Sequence, residues 1–193
     1  MLQQTQVATV VDYFNNFIIR FPTLTELANA DEGEVLANWA GLGYYSRARN
    51  LHKSAKIIFS EYQGIVPNSY SELIALPGIG ESTAGAILSL AYNQSSPILD
   101  GNVKRVLSRY HRVVGHYNDS KFLKELWRLA KYHTPSKQNA KYTQAIMDLG
   151  ATICVPQKPR CSECPVSRNC KANLYSDQAS FPQKNTKTIR PEK

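Results

Sequence analysis

The chain has 193 residues, and 23 Lys+Arg against 15 Asp+Glu leave a formal charge of +8 and a pI near 9.3. With 42% hydrophobic and 20% charged residues, this is the composition of a soluble globule long enough for one domain or two small lobes, and the positive excess points first to an anionic partner, nucleic acid above all. No apolar run approaches the ~18 residues that span a bilayer, since the longest, Ala84 to Tyr92, is interrupted by Gly85 and Ser89, so an integral membrane role is excluded.

The first positive residue is Arg20, so no basic stretch precedes an apolar one and no secretory signal is visible. A cytoplasmic location follows as an expectation, with the cysteines reduced or bound to metal. Val7, Val10, Val11, Phe14, Phe17 and Ile18 follow the i, i+3, i+4, i+7 spacing of an amphipathic helix, which opens the chain. Thr23 with Glu26, Asp31 with Glu34 and Ser69 with Glu72 each place a capping oxygen three residues before a glutamate and predict three further helix starts. Pro22, Gly41 and Gly43, Gly64 with Pro67, Pro77 to Gly80, and Pro97 punctuate the intervals. Val103, Val106 and Leu107 suit a helix after Gly101, and Phe122, Leu123, Leu126, Trp127 and Leu129 form the stripe of another. A last helix is expected from about Ser136 to Ile153. No segment alternates with period two, so the fold class is all-α. Beyond Cys170 the periodicity stops, and the polar stretch 176–193 reads as linker or tail.

Four segments carry chemistry. Leu76-Pro77-Gly78-Ile79-Gly80, set between Leu73-Ile74-Ala75 and the helix-like run from Ser82 to Ile87, has the form of a helix-hairpin-helix. Its glycines permit positive φ, and the N–H groups opening the second helix can hold a phosphate oxygen. A helix–helix turn without a ligand satisfies the same pattern, and the basic all-α context tips the reading towards DNA. The cysteines stand as Cys154-x6-Cys161-x2-Cys164-x5-Cys170 with no histidine among them. One four-cysteine centre is the natural count; the uneven spacing suits a [4Fe-4S] loop, with zinc and two disulfides as alternatives. Asp100, after Pro97-Ile98-Leu99, is either an N-cap or an ionised carboxylate held beside a reacting sugar, where it would stabilise an oxocarbenium-like state. Gly41 to Arg49 interleaves Tyr44 and Tyr45 with Arg47 and Arg49, a pattern that can wedge a ring into a base stack while arginines grip the backbone; buried tyrosines at a helix start give the same pattern. The four histidines have no ligand-like spacing and are read as structural or surface residues.

In order, Met1-Leu2-Gln3-Gln4-Thr5-Gln6-Val7, Gly41-Leu42-Gly43-Tyr44-Tyr45, the Leu76–Gly80 hairpin, Leu99-Asp100-Gly101-Asn102-Val103 and the cysteine loop resemble the helix-hairpin-helix DNA glycosylases that carry an iron-sulfur cluster, from Met1 to about Asn173. Within that superfamily the chain resembles the MutY-type adenine DNA glycosylases, with endonuclease III the nearest relative. The bifunctional endonuclease carries a nucleophilic lysine where this chain has Ser82, and without that amine no Schiff base forms. The resemblance implies a monofunctional glycosylase of base excision repair acting on duplex DNA with adenine opposite 8-oxoguanine or guanine, as a monomer in the bacterial cytoplasm and nucleoid. It implies Asp100 as the carboxylate facing the oxocarbenium ion and Asn102 as its positioning partner. Gln144 would read the flipped adenine, and Gln4, Thr5 and Tyr44 would contact the duplex around the mismatch. Arg47, Gly78, Gly80 and Ser82 would complete the DNA surface, and Cys154, Cys161, Cys164 and Cys170 would hold a [4Fe-4S] cluster. The implied organisation is a lobe over 1–95 with the hairpin, a cluster lobe over 96–173 and a linker over 174–193 towards a NUDIX-like domain. In that family a leaving-group glutamate and a helix precede the Met-Leu-Gln-Gln-Thr-Gln segment, so weak excision is expected of a chain that starts at this Met. A non-catalytic DNA-binding module and a lyase on oxidised pyrimidines are the competing readings.

Overall fold

A computed structural model of the chain describes residues 1, 2, 5 and 7–183. The chain forms two compact units, Met1–Gly80 and Glu81–Lys193, and no strand occurs among the described residues. The all-α expectation is met.

The first unit contains α1 (Val7–Arg20), α2 (Leu24–Asn29), α3 (Glu32–Ala37), α4 (Ser46–Glu61) and α5 (Tyr70–Ala75). All three glutamate-paired caps form. Thr23 closes a full capping box with Glu26, Asp31 accepts from the Gly33 N–H at 2.7 Å, and Ser69 accepts from the Glu72 N–H at 3.3 Å. These caps matter because helices of six residues are too short to persist without them. The core joins Val10 and Phe17 of α1 to Phe21, Leu27, Val35, Trp39, Leu42 and Ala48, with Phe17 edge-on to Trp39 at 6.0 Å. The apolar stripe of α1 is wider than the face it buries. Val10 and Phe17 point inward, whereas Val7, Val11, Phe14 and Ile18 remain exposed; at 100° per residue these four lie roughly 80° around the helix from the buried pair.

The second unit holds α6 (Glu81–Tyr92), α7 (Gly101–His111), α8 (Ser120–His133) and α9 (Asn139–Asp148), then a π-turn at Leu149–Ile153, short 3-10 turns at Cys161–Glu163 and Ser167–Asn169, α10 (Lys171–Leu174) and a 3-10 turn at Gln178–Ser180. Its core is built from Leu99, Val103, Val106, Leu107, Phe122, Leu126, Leu129 and Ile146. α6 packs on α9, with a buried hydroxyl pair between Ser89 and Thr143 at 2.7 Å. The division into these two units falls at the hairpin, between Gly80 and Glu81. The last predicted helix is shorter than expected at both ends. Gln138 sits at φ +57 and delays its start, and after Asp148 the α-helical ladder gives way to the π-turn.

Residues 176–183, expected to belong to a polar connector, are anchored. Phe181 is buried, the Gln183 N–H donates to the Gly115 carbonyl at 2.9 Å, and Arg112 pairs with Asp177 while lying 4.4 Å from the Tyr175 ring centroid. A buried ring, an ion pair and a backbone bond together dock this polar run. No described helix is long and apolar enough to cross a membrane.

Candidate functional site

In the first unit the hairpin follows α5 directly. Leu76 ends the helix with its N–H on the Leu73 carbonyl, and the Ile79 N–H closes the turn on the Leu76 carbonyl at 3.2 Å. Gly78 is at φ +77, and a Cβ there would lie 2.8 Å from the Asn50 Cβ, so both conformation and space demand glycine. Gly80 differs: nothing lies within 4 Å of where its Cβ would be. Its openness leaves the backbone approachable next to the start of α6. From α4, Ser54 donates its hydroxyl to the Pro77 carbonyl at 2.8 Å, so Asn50 and Ser54 brace the turn. Neither was singled out from sequence; their four-residue spacing on the buried side of α4 is the only signal.

Tyr44 sits at φ +50 and is 63% exposed as a residue. Its carbonyl accepts from the Arg47 N–H at 2.9 Å. Arg47, expected to grip a nucleic-acid backbone, donates within this chain to the carbonyls of Met1 at 2.6 Å, Leu42 at 3.3 Å and Gly43 at 3.2 Å. It also lies over the Trp39 and Tyr44 rings at 5.4 and 5.5 Å. Geometry makes it the staple of the 39–45 turn, which presents Tyr44 outward. Gly41 is forced by φ +97 and by the Tyr13 hydroxyl, which occupies the space that any Cβ at this position would need. Thr5 is half-buried, and Gln4 lies outside the described residues.

In the second unit Asp100 caps α7, its Oδ1 accepting from the Val103 N–H at 2.8 Å. The structural role weighed from sequence is therefore real, and it occupies only one carboxylate oxygen. The extended segment ahead of Asp100 is held by α6. Ser82 Oγ accepts the Leu99 N–H at 3.0 Å, and α6 comes so close that a Cβ on Gly85 would stand 2.2 Å from the Pro97 carbonyl oxygen. Ser82 thus acts as a brace for the Asp100 segment.

Asn102 accepts, through Oδ1, a bond from Arg105 Nη2 at 2.8 Å. The same guanidinium donates to Gly150 O at 2.6 Å and to Cys154 O at 2.7 Å. A Cβ on Gly150 would lie 2.6 Å from Asn102 Cβ, so the π-turn is pressed against the first turn of α7. One turn on, Arg109 is 3% exposed and donates to the carbonyls of Val155 at 2.7 Å, Pro156 at 2.9 Å and Phe181 at 3.0 Å, with Cys154 Sγ at 3.4 Å. These two arginines tie the helix bearing Asp100 to the cysteine loop. Sequence reasoning missed them; the one trace is that they stand four residues apart on a helix that also buries Val106, Leu107 and Ser108 between them. The Tyr117 phenol is held above its usual range by burial, opposed by Arg105 and Arg109 and reinforced by Asp100. Gln144 is exposed on α9, its amide donating to Asp148 Oδ1 at 2.8 Å.

The four cysteines are free thiols and line one cavity of about 310 Å³, open solvent included, together with Arg109, Asn173 and Gln178. Burial pushes the Cys161 and Cys170 thiols up, and in each case Cys154 and Cys164 add to the rise, as expected when thiols face one another. Among the described residues no three His, Cys, Asp or Glu side chains are gathered tightly enough to hold one metal ion.

A family model described as HhH-GPD superfamily base excision DNA repair protein matches residues 1–132. The adenine DNA glycosylase of Buchnera aphidicola from Acyrthosiphon pisum is 47% identical over 193 residues, covering all of this chain and 55% of that protein. The human adenine DNA glycosylase is 44% identical over 179 residues, 92% of this chain and 33% of that protein. The chain spans about half the length of the bacterial relatives it matches and about a third of the human one. Among solved structures, a thermostable thymine-DNA glycosylase is similar with a TM-score of 0.78 and 25% identity over 90% of this chain and 80% of that one. A non-covalent endonuclease III–DNA complex is similar at 0.75 and 25% over 90% and 79%.

Proposed function

The chain belongs to the HhH-GPD superfamily of base excision DNA repair proteins, and from that membership we propose that it is the glycosylase portion of an adenine-excising enzyme that acts on adenine opposite 8-oxoguanine or guanine in duplex DNA. The observation that carries this reading is the identity to adenine-specific relatives along the whole chain. Ser82 supports it against a lyase: its hydroxyl bonds the Leu99 N–H, and it has no amine to form a Schiff base.

In the proposed reaction the adenine is turned out of the stack, and the bond from its N9 to C1′ of deoxyribose breaks. The electron pair leaves with the base, which takes up a proton from an acid that the resemblance puts ahead of Met1. The sugar passes through an oxocarbenium-like state and ends with a water-derived hydroxyl on C1′. Asp100 is the carboxylate assigned to that state. With Oδ1 tied to the helix, Oδ2 is the oxygen to face the sugar, and Ser82, Gly85 and the Asn102–Arg105 pair limit its movement. Preorganised charge of this kind acts without reorganisation during the reaction. Gln144 is assigned to the Watson–Crick edge of the flipped base, Tyr44 together with Gln4 and Thr5 to the duplex at the mismatch, and the backbone at Gly78 and Gly80 to phosphate.

Cys154, Cys161, Cys164 and Cys170 line one cavity, and their uneven spacing, Cys-x6-Cys-x2-Cys-x5-Cys, suits a [4Fe-4S] cluster better than the two close pairs usual for zinc. Bound there, the cluster would supply a covalent staple for the 154–170 loop. Arg109 satisfies the Cys154 thiol and the loop carbonyls around it.

Equilibrium binding tests the assignment without requiring turnover. At one fixed salt concentration, duplexes with adenine opposite 8-oxoguanine are expected to bind more tightly than those with adenine opposite thymine or with an oxidised pyrimidine opposite purine. Preference for the oxidised pyrimidine would move the chain to the endonuclease III group, and equal binding to all three would reduce it to a generic DNA-binding module.

A further inference from the structure

His111 and His133 are the last residues of α7 and α8, so the two helices end on a pair of imidazoles, and in α7 that end lies about 16 Å along the axis from the capping Asp100. The Nε2 atoms are 2.7 Å apart and the ring centroids 5.0 Å. Those two distances together place both Nε2 atoms on the line between the ring centres: the imidazoles meet end to end and share one N–H···N bond. Tyr110 stands edge-on to both rings at 5.0 and 5.8 Å, and Tyr132 to His133 at 5.1 Å, so packing holds the rings in line. We propose that His111 and His133 form a proton-operated clasp: the bond joins the ends of α7 and α8 while the pair carries at most one added proton, and a second proton releases it.

Counting protons fixes that behaviour. In the neutral pair one ring donates its Nε2–H and leaves its Nδ1 bare, while the other accepts on Nε2 and keeps its proton on Nδ1. A first added proton goes to the bare Nδ1. The donor becomes an imidazolium, and the bond persists in charge-assisted form. A second proton has only the accepting Nε2 left to bind, where N–H would face N–H and one positive charge another across 2.7 Å. Both groups then turn away to water. The charged side chains facing the pair are Lys171 of α10 and, on α8, Arg128 and Glu125, which are bonded to each other at 2.7 and 2.8 Å. Tyr110 of α7 and Tyr132 of α8 present phenols that stay neutral where histidine titrates. The 149–153 turn, which also packs on α7, has no titratable side chain, and none of the charges acting on His111 belongs to α9. Burial lowers both imidazoles, and His133, Lys171 and Arg128 lower His111 further against the opposing pull of Glu125, so protons enter below the ordinary 6.5 of histidine. The clasp is closed at neutral pH. Opening stays local, because Arg105 and Arg109 hold the rest of α7 to the cysteine loop. It frees the last turn of α8, where the Thr134 N–H donates to the Ala130 carbonyl at 3.0 Å, and with it the turn into α9.

The experiment follows the full chain, with isotope-labelled histidine ring nitrogens, by NMR from about pH 8 to about pH 4.5. The expected result is a nitrogen–nitrogen coupling across the His111–His133 bond, titration of both rings in two common steps, and loss of the coupling in the second. With that second step, amide exchange in the last turn of α8 speeds up roughly fivefold or more beyond its intrinsic pH dependence, the worth of one net hydrogen bond. In His111→Gln or His133→Gln the remaining ring titrates in a single step closer to 6.5, and the extra exchange in that turn disappears, because glutamine can accept from the charged ring as well as from the neutral one. No coupling in the unaltered chain, independent single-step titration of the two rings, or the same extra exchange in both variants overturns the proposal. The coupling is read on the unaltered chain, so the test stands even if a variant folds poorly. The proposal is independent of the DNA chemistry above.

Discussion

Replacing Gly85 with alanine opposes two well-understood effects of different sign. Gly85 lies inside α6, and from helix propensity alone alanine there stabilises by about 1 kcal/mol. The structure reverses that sign. The new Cβ would stand 2.2 Å from the Pro97 carbonyl oxygen, a backbone atom, and 3.4 Å from the Ile98 side chain. Ordinary contact between carbon and oxygen needs about 3.3 Å, so helix and extended segment must separate by about 1 Å. Forcing an extra carbon into a packed site costs about 1–3 kcal/mol when a flexible side chain can yield, and here the neighbour is backbone, so the upper end applies. A net loss of about 2 kcal/mol corresponds to a Tm lowered by about 4–8 °C for a chain of this size. The displaced segment is the one Ser82 braces and Asp100 terminates, so the variant should also lose excision out of proportion to its fold. Gly80→Ala supplies the contrast, because open space surrounds that position: its Tm should stay at or slightly above that of the parent. Thermal unfolding of the three proteins, with single-turnover excision measured well below each Tm, reads both effects. A Gly85→Ala Tm equal to or above the parent's would refute the close approach of α6 to Pro97 and the reasoning built on it.

Arg105→Leu leaves the Gly150 carbonyl and the Asn102 amide oxygen without this donor, while the Cys154 carbonyl keeps only the longer bond from Arg109 at 3.3 Å, and at about 1–3 kcal/mol for each unsatisfied group, with incomplete additivity, denaturant unfolding should show a loss of about 2–4 kcal/mol. Tyr44→Ala removes an exposed ring, so stability should move by less than about 0.5 kcal/mol while affinity for the adenine:8-oxoguanine duplex falls roughly 5- to 150-fold, the value of one base–aromatic stack; unchanged binding would remove Tyr44 from the DNA surface. His111 and His133 have folded pKa values below the unfolded 6.5, so between those values the unfolded chain binds more protons, and stability falls as pH drops through 6.5 towards the folded values. Urea midpoints at pH 7.5 and 5.5 should show this loss, and a His111→Gln/His133→Gln double variant should show less of it.

The parts of the fold legible in the sequence are those governed by local chemistry. Thr23, Asp31, Ser69 and Asp100 were readable as caps because a capping oxygen and the N–H it accepts lie within three residues of each other. Gly78 was readable as a turn residue for the same reason. What escaped depends on contacts between distant segments. Arg105 and Arg109 look like surface cations of an amphipathic helix until the carbonyls some 45 residues later fold over them. Nothing in Gly-Tyr-Tyr-Ser-Arg says that the Arg47 guanidinium will turn back onto Met1, Leu42 and Gly43. The π-turn after α9 escaped because a single glycine, Gly150, inside an apolar run is tolerated by a helix, and its close approach to Asn102 is a contact with a distant segment. The His111–His133 pair was passed over because histidines 22 residues apart on different helices have no spacing signature.

Asp100 shows why a structural reading and a chemical one need not compete for a residue. A carboxylate that caps a helix has one oxygen fixed by a backbone N–H, which sets the direction of the other. Fixing that second oxygen by side-chain packing alone would require a tight apolar cage, and such a cage would exclude the sugar it is meant to meet. Capping achieves the same orientation from one side and leaves the opposite side open. The supports then lie behind it: Ser82 and Gly85 set the chain leading in, and Asn102 with Arg105 sets the first turn leading out. Asp100→Asn preserves the cap, because asparagine serves at an N-cap as well as aspartate, yet removes the charge. Stability should therefore change little while excision falls by about a hundredfold or more. Loss of both together would mean that the cap, and not the charge, is what the position supplies.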